Sequence, residues 1–170
     1  MIWYMVLIAA VAAERVAELV VSKRHAAWAF ERGGVEYGRR HYPVMAAVHA
    51  ALLVSCAAEV AIADRPFIAW LGWPMLALVA LTQAVRWWCV STLGRQWNTR
   101  VIVVPGMPLV TSGPYRWFQH PNYIAVTVEV AALPLVHTAW VTALVFSAAN
   151  AALLAVRIPV ETRALAASAR

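Results

Sequence analysis

Long apolar runs separated by short polar segments make up most of this chain, and five of them approach the length of a membrane crossing. A bilayer core of about 30 Å takes about 20 apolar residues as a helix. The first run covers residues 2–21 and carries Glu14, Arg15 and Glu18 toward its end, where charged side chains pair or reach the interface. The second, 43–63, opens on Pro43, a residue suited to the first helical turn. After Asp64-Arg65-Pro66 comes the third, 67–93, in which Gly72 and Pro74 predict a kink near the start. The fourth, 121–136, and the fifth, 138–156, meet at His137 so closely that they form an antiparallel hairpin. The pattern predicts one all-α integral membrane domain over residues 1–170, with about five transmembrane helices and no internal repeat.

Composition agrees with lipid as the solvent: 63% of residues are hydrophobic and 13% charged, with a mean hydropathy of +0.67, values outside the range of soluble domains. The N-terminal run lacks a positive leader and carries charges within it, so it reads as a retained helix. A net charge of +6 comes without a dense basic run or recognition motif, which argues for topology and against nucleic acid. Residues 22–42 hold Lys23, Arg24, Arg32, Arg39 and Arg40; residues 94–120 hold Arg95, Arg100 and Arg116; the tail holds Arg157, Arg163 and Arg170. The opposite connections hold only Arg65, so the N-terminus is expected outside and the C-terminus in the cytoplasm. Cys56 and Cys89 fall inside apolar runs without ligand spacing; they read as packing residues, and no metal site is expected.

Most of the unusual residues gather between the third and fifth runs, in LGRQWNTRVIVVPGMPLVTSGPYRWFQHPNY. Pro105-Gly106 and Gly113-Pro114 are turn signals, and Val101 to Val104 reads as a short extended piece. His120-Pro121 opens the fourth helix, placing His120 near an N-cap whose free N–H groups and positive dipole end suit an anionic ligand group.

GPYRWFQHPNY, followed by RIPVETRAL beyond the last hairpin, resembles the isoprenylcysteine carboxyl methyltransferase family of membrane enzymes. That family's signature is Gly-x-Tyr, an Arg-His-Pro-x-Tyr core and a downstream Arg-Ile-x-x-Glu. ERVAEL and VEYGRRHYPVMAAVH extend the resemblance to its short bacterial branch, often found beside type III polyketide synthases. The resemblance implies methyl transfer from S-adenosylmethionine, with the cofactor in a cytoplasmic-side pocket built from residues 94–123 and 157–165. It implies cofactor contacts at Trp97, Gly113, Tyr115, Arg116, His120, Pro121, Asn122, Tyr123 and Glu161. Glu161, read as following the final helix, binds the methionine ammonium or ribose, or orients the acceptor; Arg157 pairs with it at i, i+4 or holds the acceptor oxygen. His120, Glu161 and Glu129 are the candidate bases. Where carboxyl-methylating members carry an arginine before His-Pro, this chain has Gln119, with Arg100 and Arg116 nearby to compensate. That change weakens the carboxyl-methylating reading without excluding it, and the resemblance to the bacterial branch implies instead a lipophilic enol or phenol acceptor, such as an alkylpyrone or alkylresorcinol, reached from the bilayer; a prenylcysteine-like carboxylate is the alternative.

Bland readings stand beside these. Glu129 either faces the pocket or pairs with Arg86 or Arg157, and His49, Glu59 and Arg86 are open between structure and function. Trp87-Trp88 reads as an interfacial anchor, Arg116 as a headgroup or cofactor contact, and His41 and Tyr42 as caps or site residues. A non-catalytic transporter or scaffold is the competing class; it favours repeats and helices broken at midplane, whereas here the polar motifs cluster at one face.

Overall fold

The computed structural model describes residues 1–168; Arg170, counted above with the basic tail, lies outside the described residues. Five helices run alternately up and down: α1 (Ile2–Phe30), α2 (His41–Ile62), α3 (Ala69–Leu93), α4 (Pro121–Leu135) and α5 (Trp140–Ser168). Two short strands make the fold slightly less than all-α. β1 (Val35–Tyr37), from the α1–α2 connection, pairs antiparallel with β2 (Val101–Val103), from the α3–α4 connection, with Val35 opposite Val103 and Tyr37 opposite Val101. The extended piece expected at Val101 thus finds its ladder partner in a distant loop.

Two helices outrun their expected ends. α1 continues nine residues past Val21, because Ser22 to Phe30 contains no breaker and a helix needs no lipid to persist. It stops where Gly33 takes φ +75° and the Gly34 N–H returns to the Ala29 carbonyl at 2.9 Å. α5 likewise runs on to Ser168, through Pro159. Pro159 removes only the N–H that would bond the Ala155 carbonyl. Glu161 therefore lies on the last helix rather than after it, on the same face as Arg157.

α4 is the central helix. Ala125, Val126, Glu129, Val130, Ala132 and Leu133 are all buried along its 15 residues, packed between α3 and α5. Around it the core takes Tyr4, Ile8 and Val11 from α1, Leu52, Cys56 and Val60 from α2 and Val79 from α3. The outward faces are apolar as well: Val6, Val16, Val54, Leu81, Leu144 and Val145 are exposed, a belt that only lipid would cover. Three helical stretches are long and apolar enough to cross a membrane: His41–Ile62, Ala69–Gln96 and Trp140–Ala167. α1 instead carries Glu14, Arg15 and Glu18, and α4 is about 22 Å long.

One end of the bundle is closed by its own groups. The Tyr4 hydroxyl donates to the Leu133 carbonyl at 3.0 Å, and the α4–α5 turn docks on the α2–α3 turn through His137 Nδ1 to the Arg65 carbonyl and Thr138 Oγ1 to the Pro66 carbonyl. The Glu59 carboxylate accepts the Thr142 N–H at 2.7 Å, capping the positive end of α5, and pairs with Arg65 at 2.9 Å. Gly72, expected at a kink, is where the Phe67 ring lies so close that a Cβ would meet it at 2.1 Å. The other end carries both ribbon strands and both sequence motifs.

Candidate active site

Pro121 opens α4 at its first turn with His120 as the preceding N-cap residue. Three residues apart, His120 and Tyr123 project to one side, and their rings stack with centroids 5.4 Å apart. The end of α5 faces them. The Tyr123 hydroxyl accepts from Arg157 Nε at 2.7 Å and donates to Glu161 Oε2 in a very short hydrogen bond. Glu161 Oε1 lies 3.4 Å from His120 Nδ1, and His120 Nε2 lies 3.3 Å from the Thr162 hydroxyl. Arg157 and Glu161 therefore do not pair directly at i, i+4: a neutral phenol holds guanidinium and carboxylate apart. Arg157, 8% exposed, also donates from Nη2 to the Thr99 carbonyl, while among the described residues Nη1 has only the Met45 thioether, at 3.4 Å.

The Gly-x-Tyr string is pinned to the end of α3. Gly113 has φ +56°, and a Cβ there would meet the Thr92 hydroxyl at 2.6 Å, so only glycine lets this turn lie on the helix. Tyr115 is thereby half-buried against Cys89. Burial first, then the neighbouring Cys89, Glu161 and Tyr123, push its phenol above the ordinary range, so Tyr115 stays a neutral hydroxyl beside the array. Asn122 adds a buried Oδ1 with no hydrogen-bond partner among the described residues, an acceptor open to a donor.

Next to Arg157 is a small open recess, bounded by Glu36, Tyr37, His41, Tyr42, Arg100 and Val160. Arg100 NH1 pairs with Glu36 at 2.9 Å, linking the two connections that form the ribbon. His41 and Tyr42 thus line a recess at the site rather than serving only as helix caps.

Three expected site residues stand apart. Trp97 is buried, with its carbonyl accepting from His25 Nδ1 at 2.8 Å, where it holds the loop after α3 to α1. Arg116 is exposed. Glu129 belongs to a second charged group at mid-bundle: Arg86 donates to Glu18 at 2.7 and 3.2 Å, Arg15 lies 2.9 Å from Glu18, and Glu129 sits 3.9 Å from Arg86 and 4.0 Å from Arg15. Its partner is the Arg86 side rather than Arg157.

A model of the isoprenylcysteine carboxyl methyltransferase (ICMT) family matches residues 75–167, a stretch that contains His120, Tyr123, Arg157 and Glu161. This chain belongs to the ICMT family. Members of this family are membrane methyltransferases that generally use S-adenosylmethionine. Beyond the family region, the chain is 40% identical to the uncharacterized protein YpbQ of Bacillus subtilis, over 97% of this chain and 96% of that protein. It is 25% identical to an uncharacterized protein of Haemophilus influenzae, again over 97% and 96% of the two chains. Both likenesses include α1 and α2, which the family match does not reach. Sequence reasoning on the ICMT motifs names Arg100 only as compensating for the family arginine that Gln119 replaces, and passes over Met45, Thr99, Thr162 and the Arg100 partner Glu36; the signal for Glu36 is an acid within a short stretch of β-branched and aromatic residues.

Proposed function

We propose that this ICMT-family protein is an S-adenosylmethionine-dependent O-methyltransferase whose acceptor is a lipophilic enol or phenol of the alkylpyrone or alkylresorcinol kind. The observation that carries the reading is the linked array Arg157, Tyr123, Glu161 and His120 at one end of an apolar bundle. The residues present suit the cofactor: Asn122 Oδ1 and Glu161 offer acceptors to its ammonium and hydroxyl donors, and the stacked His120 and Tyr123 rings offer faces to a sulfonium. When bound there, the cofactor supplies an electrophilic methyl group. The chain's own task is placement and charge stabilisation. Arg157 holds the acceptor oxygen through Nη1, the nitrogen whose hydrogen-bond partner among the described residues is the Met45 sulfur. Tyr123 fixes the guanidinium from the other side. A hydroxypyrone is a vinylogous acid and arrives ionised, so Arg157 suffices for it; a phenol gives its proton to the His120 and Glu161 pair joined through Tyr123.

The site end gathers ten of the described basic residues, against Arg65 alone at the closed end, which supports a cytoplasmic site with the N-terminus outside, and by the branch resemblance a bacterial cytoplasmic membrane. Purified protein incubated with radiolabelled S-adenosylmethionine is expected to label long-chain hydroxypyrones. Labelling of a farnesylated cysteine analogue alone makes the acceptor a carboxylate, and no cofactor binding by calorimetry in detergent returns the protein to a transporter or scaffold.

A further inference from the structure

The Thr99 carbonyl that accepts from Arg157 Nη2 belongs to residues 97–100, between the 3-10 turn at Gly94–Gln96 and β2, where no regular element fixes the backbone. What fixes it is Ser22 of α1, 3% exposed. The Ser22 hydroxyl donates to Asn98 Oδ1 at 2.8 Å and accepts the Thr99 N–H at 3.0 Å. It also lies 2.7 Å from the Thr99 hydroxyl, whose proton it accepts because its own goes to Asn98. One donation and two acceptances fill the whole capacity of a serine hydroxyl. Asn98 returns the grip, its Nδ2 donating to the Ser22 carbonyl at 3.2 Å.

The hold on Ser22 passes to Arg157 through one rigid group. Asn98 Oδ1 also accepts the Arg100 N–H at 3.0 Å, an Asx turn. That N–H shares a peptide with the Thr99 carbonyl, and in a planar trans peptide the two point to opposite sides. Once Asn98 holds the N–H edge, the carbonyl edge has its direction, which is toward Arg157. The stretch is fastened at its ends as well: His25, nearly one turn beyond Ser22, donates from Nδ1 to the Trp97 carbonyl at 2.8 Å, and the Arg100 guanidinium is held by Glu36. Ser22 and His25 both lie on the nine residues by which α1 outruns its apolar run.

We propose that Ser22 is a positioning residue for Arg157. The proposal rests on the methyltransferase reading above and extends the machinery to α1, outside the ICMT motifs. A guanidinium is planar with its nitrogens in a fixed fork. Tyr123 on Nε and the Thr99 carbonyl on Nη2 together set the direction of Nη1, the nitrogen offered to the acceptor oxygen. Without Ser22, Asn98 and Thr99 lose their common partner, the Thr99 carbonyl turns away, and the guanidinium pivots on its bond to Tyr123.

The test is a double-mutant cycle in the full-length protein in detergent. Ser22→Ala is expected to lower kcat about ten- to a hundredfold, the scale of misplacing a reacting group by an ångström, while calorimetry finds the cofactor Kd unchanged. In an Arg157→Met background the same substitution is expected to change kcat no further, because the group that it aims is gone. A further loss in that background, or a kcat for Ser22→Ala equal to wild type, overturns the proposal and leaves the methyltransferase reading standing. A second readout needs no turnover. In protein labelled with 15N-arginine, the Arg157 Nε–H signal, assigned by its absence in Arg157→Met, is expected to exchange with solvent about tenfold faster in Ser22→Ala; unchanged exchange overturns the proposal. If the wild type transfers no methyl group, the methyltransferase reading fails and the exchange rates still decide whether Ser22 holds Arg157. Should Ser22→Ala fail to fold, Asn98→Ala removes the same link from its other side and is read by the same measurements.

Discussion

Two groups of charged residues sit inside this bundle, and they are built in opposite ways. At mid-bundle opposite charges meet directly: Arg86 grips both oxygens of Glu18, Arg15 lies against the same carboxylate, and Glu129 completes the group, so that α1, α3 and α4 are tied by one network. Two donors there, Arg15 Nε and Gln83 Nε2, lack hydrogen-bond partners among the described residues, while the Arg15 guanidinium pairs with the Glu14 and Glu18 carboxylates. At the α4–α5 end the guanidinium of Arg157 and the carboxylate of Glu161 are separated by the Tyr123 hydroxyl, and the leftover group is an acceptor, Asn122 Oδ1. Ionisable groups within an apolar bundle raise the question of function, and the answer lies in how their partners are distributed. Charges that neutralise each other hold helices together; charges held apart keep their fields available to a ligand.

The largest expected effect breaks the mid-bundle group. Arg86→Met leaves Glu18 without its two-pronged partner and lowers stability by about 3–5 kcal/mol, whereas replacing Arg86 and Glu18 together by Met recovers most of the loss. Thermal unfolding in detergent reads both, and Arg157→Met should unfold at a temperature much nearer the wild type. Arg157→Met is instead expected to slow methyl transfer about 10²- to 10³-fold, the scale of losing one positioned donor to a developing charge, while calorimetry finds cofactor affinity retained. A loss of stability equal to that of Arg86→Met would make the two groups alike and end the distinction.

Glu161→Gln and Glu129→Gln sharpen it further. Transfer is expected to fall roughly tenfold or more in the first, which weakens the acceptor facing His120 and Tyr123, and to remain close to wild type in the second; equal losses in initial rate would bring Glu129 into the chemistry. The smallest effect is at Asn122. Asn122→Ala removes one buried acceptor and raises the cofactor Kd by about tenfold, the worth of a single hydrogen bond of roughly 1.5 kcal/mol, again by calorimetry.

Much of the helical layout was legible because its signals are local. Pro43 and Pro121 mark helix starts and Asp64-Arg65-Pro66 a break, and the structure begins or ends helices within a few residues of each. The ends of α1 and α5 were not legible from hydropathy, since apolar character stops at the bilayer surface while the helical hydrogen-bond ladder does not. The strand at Val101 was readable as extended, but not its partner at Tyr37, because ladder pairing between loops more than sixty residues apart leaves no local trace. Within the site, the strings containing His120 and Glu161 stood out by motif, while Met45 is an ordinary apolar residue in an apolar run.

Sequence alone determined the solvent this chain requires, the number and approximate starts of its helices, and which residue types are offered at the α4–α5 end, because composition, periodicity and proline placement act over a few residues at a time. Tertiary structure alone settled which charge faces which: that Glu129 turns to Arg86, that Tyr123 stands between Arg157 and Glu161, and that Met45 lies under the guanidinium. Those are distances between helices, and in a bundle whose surfaces are apolar nearly all round, the apolar pattern names no unique facing stripe; only close packing of the five helices together selects one.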